Sequence, residues 1–414
     1  MNLKFSFLRK NSTDFCEGCS FLGLGESSGW CILCKNNHLN EDLLANLKFW
    51  SRKNIFHRKH IWYYYETLDA LSNKYCQNSS AGWFITALLD ELLSLKKVDY
   101  VLNVSFDAED KKFKYTKVTD PIQLYKTQRS VYYPINFKHA LDIIDDNPGT
   151  CAITWIPSVI KAIEILKINI PRYQDKIKYT IGLTYHSTKT PFYLDYLCKK
   201  AGKNDWIYDV DFISFRDKGE AIDYKTSGDF VVRTKTEEWR LGSRDRGLDW
   251  SIGLLQDFSS HFVDDHFWEL ADISVMDAWH KNYRLTKWVS LCIIRDQELN
   301  SIIKSSHNIV CNAVDASVIM DSQKSGIISK TRGLQIRLAF FNFFNDFIPQ
   351  RRVLPSFCLN KPLFLMTELF RIYLSVSSIS KFKKFDNVAD FEKSMRLWKS
   401  IYRFFYKLYL ILWK

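Results

Sequence analysis

The feature that most constrains this chain is a change of hydrophobic period that recurs between about residues 78 and 295. The run "AGWFITALLDELLSLKK" places apolar residues three and four apart, the spacing of a helix that buries one face. "VDYVLNVSF" follows at once, dense in β-branched and aromatic residues, and reads as a strand. "CAITWI" is a short apolar run stopped by Pro157, and "SVIKAIEILK" returns to helical spacing. "KYTIGLTY" reads as strand, "PFYLDYLCKKAG" as a helix ended by Gly202, and "DVDFISFR", "ADISVMDAW" and "WVSLCIIR" as three more strands. Helices alternating with short buried strands predict an α/β core around a mixed sheet.

The flanks differ from this core. Residues 1–60 carry two close cysteine pairs and then a basic aromatic run, "LKFWSRKNIFHRKHIWYYY". After about residue 330 come three helix-patterned stretches, rich in aromatics and studded with Lys and Arg. The expected organisation is a cysteine-bearing segment at 1–60, an α/β domain at 61–310, and a helical, basic, aromatic region at 311–414. No internal repeat is visible.

Hydrophobic residues make up 46% and charged residues 25% of the chain, the balance of a globular protein rather than a disordered one. A net charge of +12 favours anionic partners: nucleic acid, lipid headgroups or a phosphorylated cofactor. No nucleic-acid-binding motif accompanies it, so no nucleic acid is expected. The opening "MNLKFSFLRKNST" lacks the apolar core and cleavage site of a signal peptide. No stretch approaches the roughly 18 uninterrupted apolar residues of a membrane span. Ten cysteines, two close pairs and six singles, suit a reducing cytoplasm.

Several constellations carry chemistry. Cys16-x2-Cys19 and Cys31-x2-Cys34 present four thiols from two tight turns, enough for one tetrahedral metal, although a cysteine-bearing loop without metal has the same appearance. Ser79, Ser80 and Gly82 precede a helix that includes Thr86; such a start exposes backbone N–H groups and suits a phosphate, or serves only as a cap. Asp272 and Asp277 flank one strand-like run, where acids orient a cofactor, move a proton, or simply satisfy loop backbone. "FRDK", Phe215 to Lys218, sits at a strand end, where its cations meet either a phosphate or solvent.

Taken in order, these motifs resemble the coenzyme F-420 hydrogenase/dehydrogenase beta-subunit family, some members of which are associated with polysaccharide gene clusters. The likeness runs through Cys16-x-Gly18-Cys19, Ser79-Ser80-Ala81-Gly82 with Thr86-Ala87-Leu88, Val98-Asp99, and Ser130-x-Tyr132. It continues through the Pro157-Ser158 turn, Tyr185-His186-Ser187, "FRDK", and Glu-Leu-Ala-Asp-Ile-Ser from Glu269 to Ser274. It spans about residues 10 to 310. The resemblance implies an FAD-dependent oxidoreductase with a mixed-sheet flavin domain, fed by iron–sulfur clusters. It implies an FAD diphosphate near Ser79, Ser80, Gly82 and Thr86, with Ser130 and Tyr132 facing the flavin.

The departures bear on mechanism. The family holds one cluster through a Pro-Cys turn, a Cys-His-Gly and a CxxC before Glu-Leu-Ala-Asp. Here those places read Ser158, Tyr185 and the cysteine-free "DFSSHFVDDHFW", and thiolates are what such clusters require. The four N-terminal cysteines do not keep ferredoxin spacing, which leaves zinc and an atypical iron–sulfur cluster as alternatives. Two functions follow as expectations. One is a flavoenzyme that has lost its iron–sulfur relay and takes electrons from a diffusible donor or redox partner, with His186 as proton donor. The other is a non-catalytic family member serving as a binding or scaffolding subunit, for instance among glycan-biosynthesis proteins; Trp155, at a family glycine position, hints at a filled cleft.

The final helix spaces Arg396, Lys399, Arg403 and Lys407 three or four residues apart beside Leu397, Trp398, Ile401, Phe404, Phe405, Leu408 and Leu412. That pattern suits a helix lying on an anionic membrane surface, the inner face in a cytoplasmic setting, or one packed on the fold with its basic face in water.

Overall fold

The computed structural model describes residues 41–72, 74–75, 83–155, 157–184, 186–217, 228–246, 252–283, 289–344, 348–349 and 351–412. The paired cysteines at 16, 19, 31 and 34, together with Ser79, Ser80, Gly82 and Tyr185, lie outside the described residues.

Eight strands form the main sheet: β3 (Glu66–Ser72), β4 (Tyr100–Asp107), β5 (Lys112–Val118), β6 (Cys151–Trp155), β7 (Ile177–Leu183), β11 (Ile273–Asp277), β12 (Ser290–Ile294) and β13 (Ile309–Ala313). Their spatial order is β13-β3-β12-β11-β7-β6-β4-β5. Four adjacent strands, β11, β7, β6 and β4, run parallel, and the remaining pairs are antiparallel, so the sheet is mixed as the sequence predicts. A hairpin of β1 (Phe56–Arg58) and β2 (Trp62–Tyr64) precedes it. A second sheet is built from β8 (Phe212–Asp217), β9 (Asp229–Arg233) and β10 (Glu238–Leu241).

The strands bury both faces, and their side chains divide between two cores with period two. In β6, Cys151, Ile153 and Trp155 enter one core with α1 (Glu41–Phe49), α3 (Phe137–Asp146) and α4 (Pro157–Asn169). Ala152 turns the other way, toward α2 (Trp83–Ser94) and α7 (Gln297–Ser305). Helix α2 presents apolar side chains from Phe84 to Leu93 to that core. Between them in the chain run α5 (Pro171–Lys176) and α6 (Pro191–Lys200). Gly182 in β7 is needed for packing, because a Cβ there would meet the Trp268 side chain at 2.8 Å.

The C-terminal third is helical: α8 (Ala316–Ser322), α9 (Lys324–Ile328), a π-helical turn at Ser329–Gly333, α10 (Leu334–Phe343), α11 (Pro362–Phe382) and α12 (Val388–Leu412). Leu374, Ile379, Phe382, Phe391, Met395 and Tyr402 of the last two join the core of the three-stranded sheet and α6. Leu334, Leu338, Phe341 and Ile372 close over Phe258 and Phe262. Helix α11 is long and apolar enough to cross a membrane by length and composition, yet it carries buried Glu368 in its first third and packs within the fold.

Candidate functional site

Parallel strands leave their carboxyl ends open to a crevice, the usual place for a ligand in α/β sheets. A cavity of about 910 Å³ lies there, reached by Thr154 and Trp155 of β6, Leu183 at the end of β7 with Thr184 after it, and Val275, Met276 and Asp277 of β11. Trp155 stacks on Tyr115 with ring centroids 4.2 Å apart and meets Phe137 edge-on, so its indole forms wall without closing the space.

Thr86, Ser130, Tyr132, His186 and Asp277, singled out from the sequence, meet around this cavity, as do Trp155, Ser187, Phe215 and Arg216 of the same motifs. Thr86 comes from the first turn of α2, and Ser130 and Tyr132 from the loop after β5. That loop is braced from β4, where the Asn103 amide donates to Thr127 O (3.1 Å) and Thr127 Oγ1 (3.0 Å) and its oxygen accepts from Thr154 Oγ1 (2.8 Å). Arg129 holds a φ of +103° in this loop, with its guanidinium over the Phe212 ring and 3.8 Å from Asp217. A non-glycine residue held there stores strain that tertiary contacts must offset, a condition concentrated at ligand sites.

Arg216 and His186 are shifted in opposite directions by their surroundings. Arg216 of β8 is buried, and its Nη1 lies 3.6 Å from Asp277 Oδ2. Burial alone would lower its pKa, but Tyr132 and Asp277 beside it raise it above the ordinary value. His186 is driven the other way: burial first, then the cations Arg371, Lys330 and Arg337, hold its pKa well below the ordinary histidine range. It is therefore a neutral imidazole at pH 7.

Gln128 is the lining residue with the most unused hydrogen-bonding capacity. Its side chain is only 7% exposed, it lines the cavity, and neither its amide nitrogen nor its amide oxygen has a hydrogen-bond partner. Thr184 Oγ1 and Ser187 Oγ, also at the cavity, are likewise unpartnered. Buried amides and hydroxyls left so are costly, and a polar ligand removes the cost. In sequence Gln128 is one of five consecutive polar residues, Lys126 to Ser130, with no period or motif to single it out.

Asp272 is placed elsewhere. It stands at the amino end of β11, outside the cavity lining, with Oδ1 2.9 Å from Lys48 Nζ and Oδ2 accepting from Thr180 N (2.8 Å) and Thr180 Oγ1 (2.7 Å). Burial pushes its carboxyl up, but the Lys48 ammonium and Lys167 overcome this and hold it well below the usual carboxylate range. Lys48 also binds Glu164 Oε1 and Leu270 O, both at 2.8 Å.

Residues 68–142 match the model of the coenzyme F420 hydrogenase/dehydrogenase beta subunit, N-terminal part, and residues 149–316 match that of its C-terminal part. The chain belongs to this family. The fold is also that of a chain in the F420-reducing (NiFe) hydrogenase complex from Methanosarcina barkeri, solved with xenon. That likeness has a TM-score of 0.52 at 14% identity and covers 71% of this chain and 98% of that one. Curated protein sequences give no significant match.

The family match ends at residue 316, but the cavity does not. Phe364, Thr367, Glu368 and Arg371 of α11 and Tyr402, Tyr406, Tyr409 and Leu410 of α12 complete its wall. The cysteine-free stretch 257–268 is pinned by the same region: Arg337 Nε donates to His261 O (2.9 Å) and Arg351 Nε to Phe262 O (2.7 Å). Among the described residues no group of three or more His, Cys, Asp or Glu is arranged to hold a metal. Helix α12 turns Phe391, Met395, Lys399 and Tyr402 inward and leaves Arg396, Leu397, Arg403, Phe404 and Lys407 exposed.

Proposed function

We propose that this family member is a flavin-dependent oxidoreductase subunit that binds FAD in the cavity at the strand ends and exchanges electrons with a separate redox partner. The observation that carries the reading is the buried Gln128 amide, unpartnered at both ends in a cavity that also gathers Thr86, Ser130, Tyr132 and Asp277. The residues present fit a large polar cofactor. Thr86, in the first turn of α2, would support its phosphates near the positive end of the helix. Gln128, Ser130 and Tyr132 would hold its polar edge, while Trp155 and Tyr115 supply an aromatic floor. Bound flavin supplies hydride and single-electron transfer.

The chain's own groups would orient the ligand and move a proton, with His186, neutral at pH 7, taking a proton up rather than serving as the donor the sequence suggested. The Arg216–Asp277 pair sets a fixed dipole at the end of β11. Neutral His186 has one ring nitrogen able to take a proton and the other able to give a hydrogen bond. The reading includes loss of the usual iron–sulfur relay from this core, supported by Ser158 and by the arginine-pinned, cysteine-free stretch 257–268.

The test is an absorbance spectrum and iron analysis of protein purified without oxygen, followed by titration of the colourless fraction with FAD while tryptophan fluorescence is read. Trp155 and Trp279 line the cavity and report its filling. Flavin bands or saturable quenching are expected, with no stoichiometric iron. A colourless protein that takes up no FAD would overturn the enzyme reading and leave a binding or scaffolding subunit.

A further inference from the structure

Helix α12 presents two different sides. Tyr402, Tyr406 and Tyr409 line the cavity, and Phe391, Met395 and Tyr402 join the core beneath the helix. At 3.6 residues per turn, Leu397, Phe404 and Ile411 recur every seven residues on the side turned away from those tyrosines. They are 64%, 58% and 66% exposed. A row of large apolar side chains about 21 Å long therefore faces outward from the fold.

Cations run beside that row. Lys393, Arg396, Arg403 and Lys407 are exposed on the same half of the helix, and no Asp or Glu follows Glu392 in it. The acids of α12 gather at its start, where Asp390 accepts from the Asn387 amide (2.7 Å) and Glu392 from Lys200 (2.6 Å) and Tyr196 (2.7 Å). The apolar surface continues past the other end. Phe364, in the first turn of α11, sets its ring 5.2 Å from that of Tyr409, so the loop entering α11 lies beside the last turns of α12. That loop exposes Leu354 and Leu359, and exposed Phe343 meets its Phe357 ring at 6.3 Å. Single exposed apolar residues are ordinary, but a contiguous apolar surface rimmed by charge marks an interaction site.

We propose that the outer face of α12 docks on an anionic lipid surface. The helix lies in the membrane plane, with Leu397, Phe404 and Ile411 entering the headgroup layer and Arg396, Arg403 and Lys407 meeting lipid phosphates. Charge complementarity selects this occupant. A second copy of the chain, docked through the same face, would set cations against cations. At a lipid surface the long Arg and Lys stems run along the apolar row and deliver their charges to the headgroups. A straight row on one helix also suits a flat bilayer, which needs no complementary groove. The face belongs to a helix beyond the residues that match the family, and it is independent of what fills the cavity on the helix's other side.

The experiment is flotation of the full chain with vesicles of phosphatidylcholine alone and, separately, with phosphatidylglycerol mixed in. Binding is expected to the mixed vesicles only, and it should fall as salt is raised and screens the charges. Arg396→Gln with Arg403→Gln should weaken it about 25-fold, roughly fivefold for each cation lost. Phe404→Ser should weaken it about tenfold with every cation in place. All three positions are exposed, so the variants should keep the circular dichroism and urea midpoint of the parent. No flotation with the mixed vesicles, or flotation of these variants equal to that of the parent, would overturn the proposal. Equal, salt-insensitive binding to both kinds of vesicle would overturn it too. Self-association that Phe404→Ser abolishes, without flotation, would give the face to a second copy of the chain instead. Flotation by a chain that takes up no FAD would support the docking face while sinking the flavin reading.

Discussion

Asp272 and Asp277 sit at the two ends of one strand, and their surroundings could hardly differ more. At the amino end of β11 every oxygen of Asp272 is engaged, by Lys48 and by Thr180. At the carboxyl end Asp277 is partly open, faces a cavity, and shares it with an amide and two hydroxyls that have no partner. Strand direction separates the two roles. In a parallel sheet the amino ends are closed by the helices that arrive there, and the carboxyl ends open into loops that are free to take up a ligand. On the function proposed above, one end serves stability and the other binding.

That contrast breaks most visibly at Lys48. Lys48→Met leaves a buried carboxylate without its cation and should cost about 3–5 kcal/mol of stability, read as a lower urea midpoint, with FAD affinity unchanged. The same end should be acid-sensitive. The folded pKa of Asp272 lies below its ordinary value, so its contribution is full above about pH 4 and is lost as the pH falls further.

Lys330 tests the opposite end. Burial, reinforced by Arg337 and Arg371 and opposed by Asp264 and Asp265, pushes its pKa down to about 7. Between that value and the ordinary lysine value near about 10.4 the unfolded chain binds the extra proton. Stability should therefore rise with pH across that window, by up to about 1.4 kcal/mol per unit, and Lys330→Met should flatten the slope in urea melts at pH 7.5 and 9.5.

Gln128→Leu sharpens the comparison further. Removing an unsatisfied buried amide should raise the stability of the cofactor-free protein by about 1 kcal/mol and weaken FAD binding by about tenfold. A loss of stability without loss of affinity would place Gln128 with Asp272 rather than with Asp277. The smallest effect is expected from Asp277→Asn, under about 1 kcal/mol in stability because its pair with Arg216 is partly solvated. Its consequence should appear in turnover instead.

The elements that the sequence discloses are those whose burial has a period. Helices α2, α4 and α6 and strands β4, β6, β7, β8, β11 and β12 all lie where spacing and β-branched runs predict them. Strands β9, β10 and β13 were not anticipated, because short edge and second-sheet strands carry little alternation of their own. Of the site, Thr86, Ser130, Tyr132, His186 and Asp277 were legible through motifs held at strand and helix ends. Gln128, His266 and Arg371 were not. What matters about Gln128 is a partner it lacks, and what matters about Arg371 is a neighbour more than a hundred residues away, and neither leaves a mark on local pattern. The basic stripe of the last helix was legible as amphipathic, but only packing decided that Lys399 turns inward while Arg396 and Arg403 do not.

The late position of α11 and α12 in the chain has a consequence for assembly. The strands of the main sheet are all present once Ala313 has emerged from the ribosome, but the cavity wall is finished only with Leu410. At about 5–20 residues per second, synthesis of the intervening stretch takes roughly 5–20 s. During that interval the strand ends stand open on one side, so a bulky cofactor has its widest route inward before the last two helices are made and shut behind it.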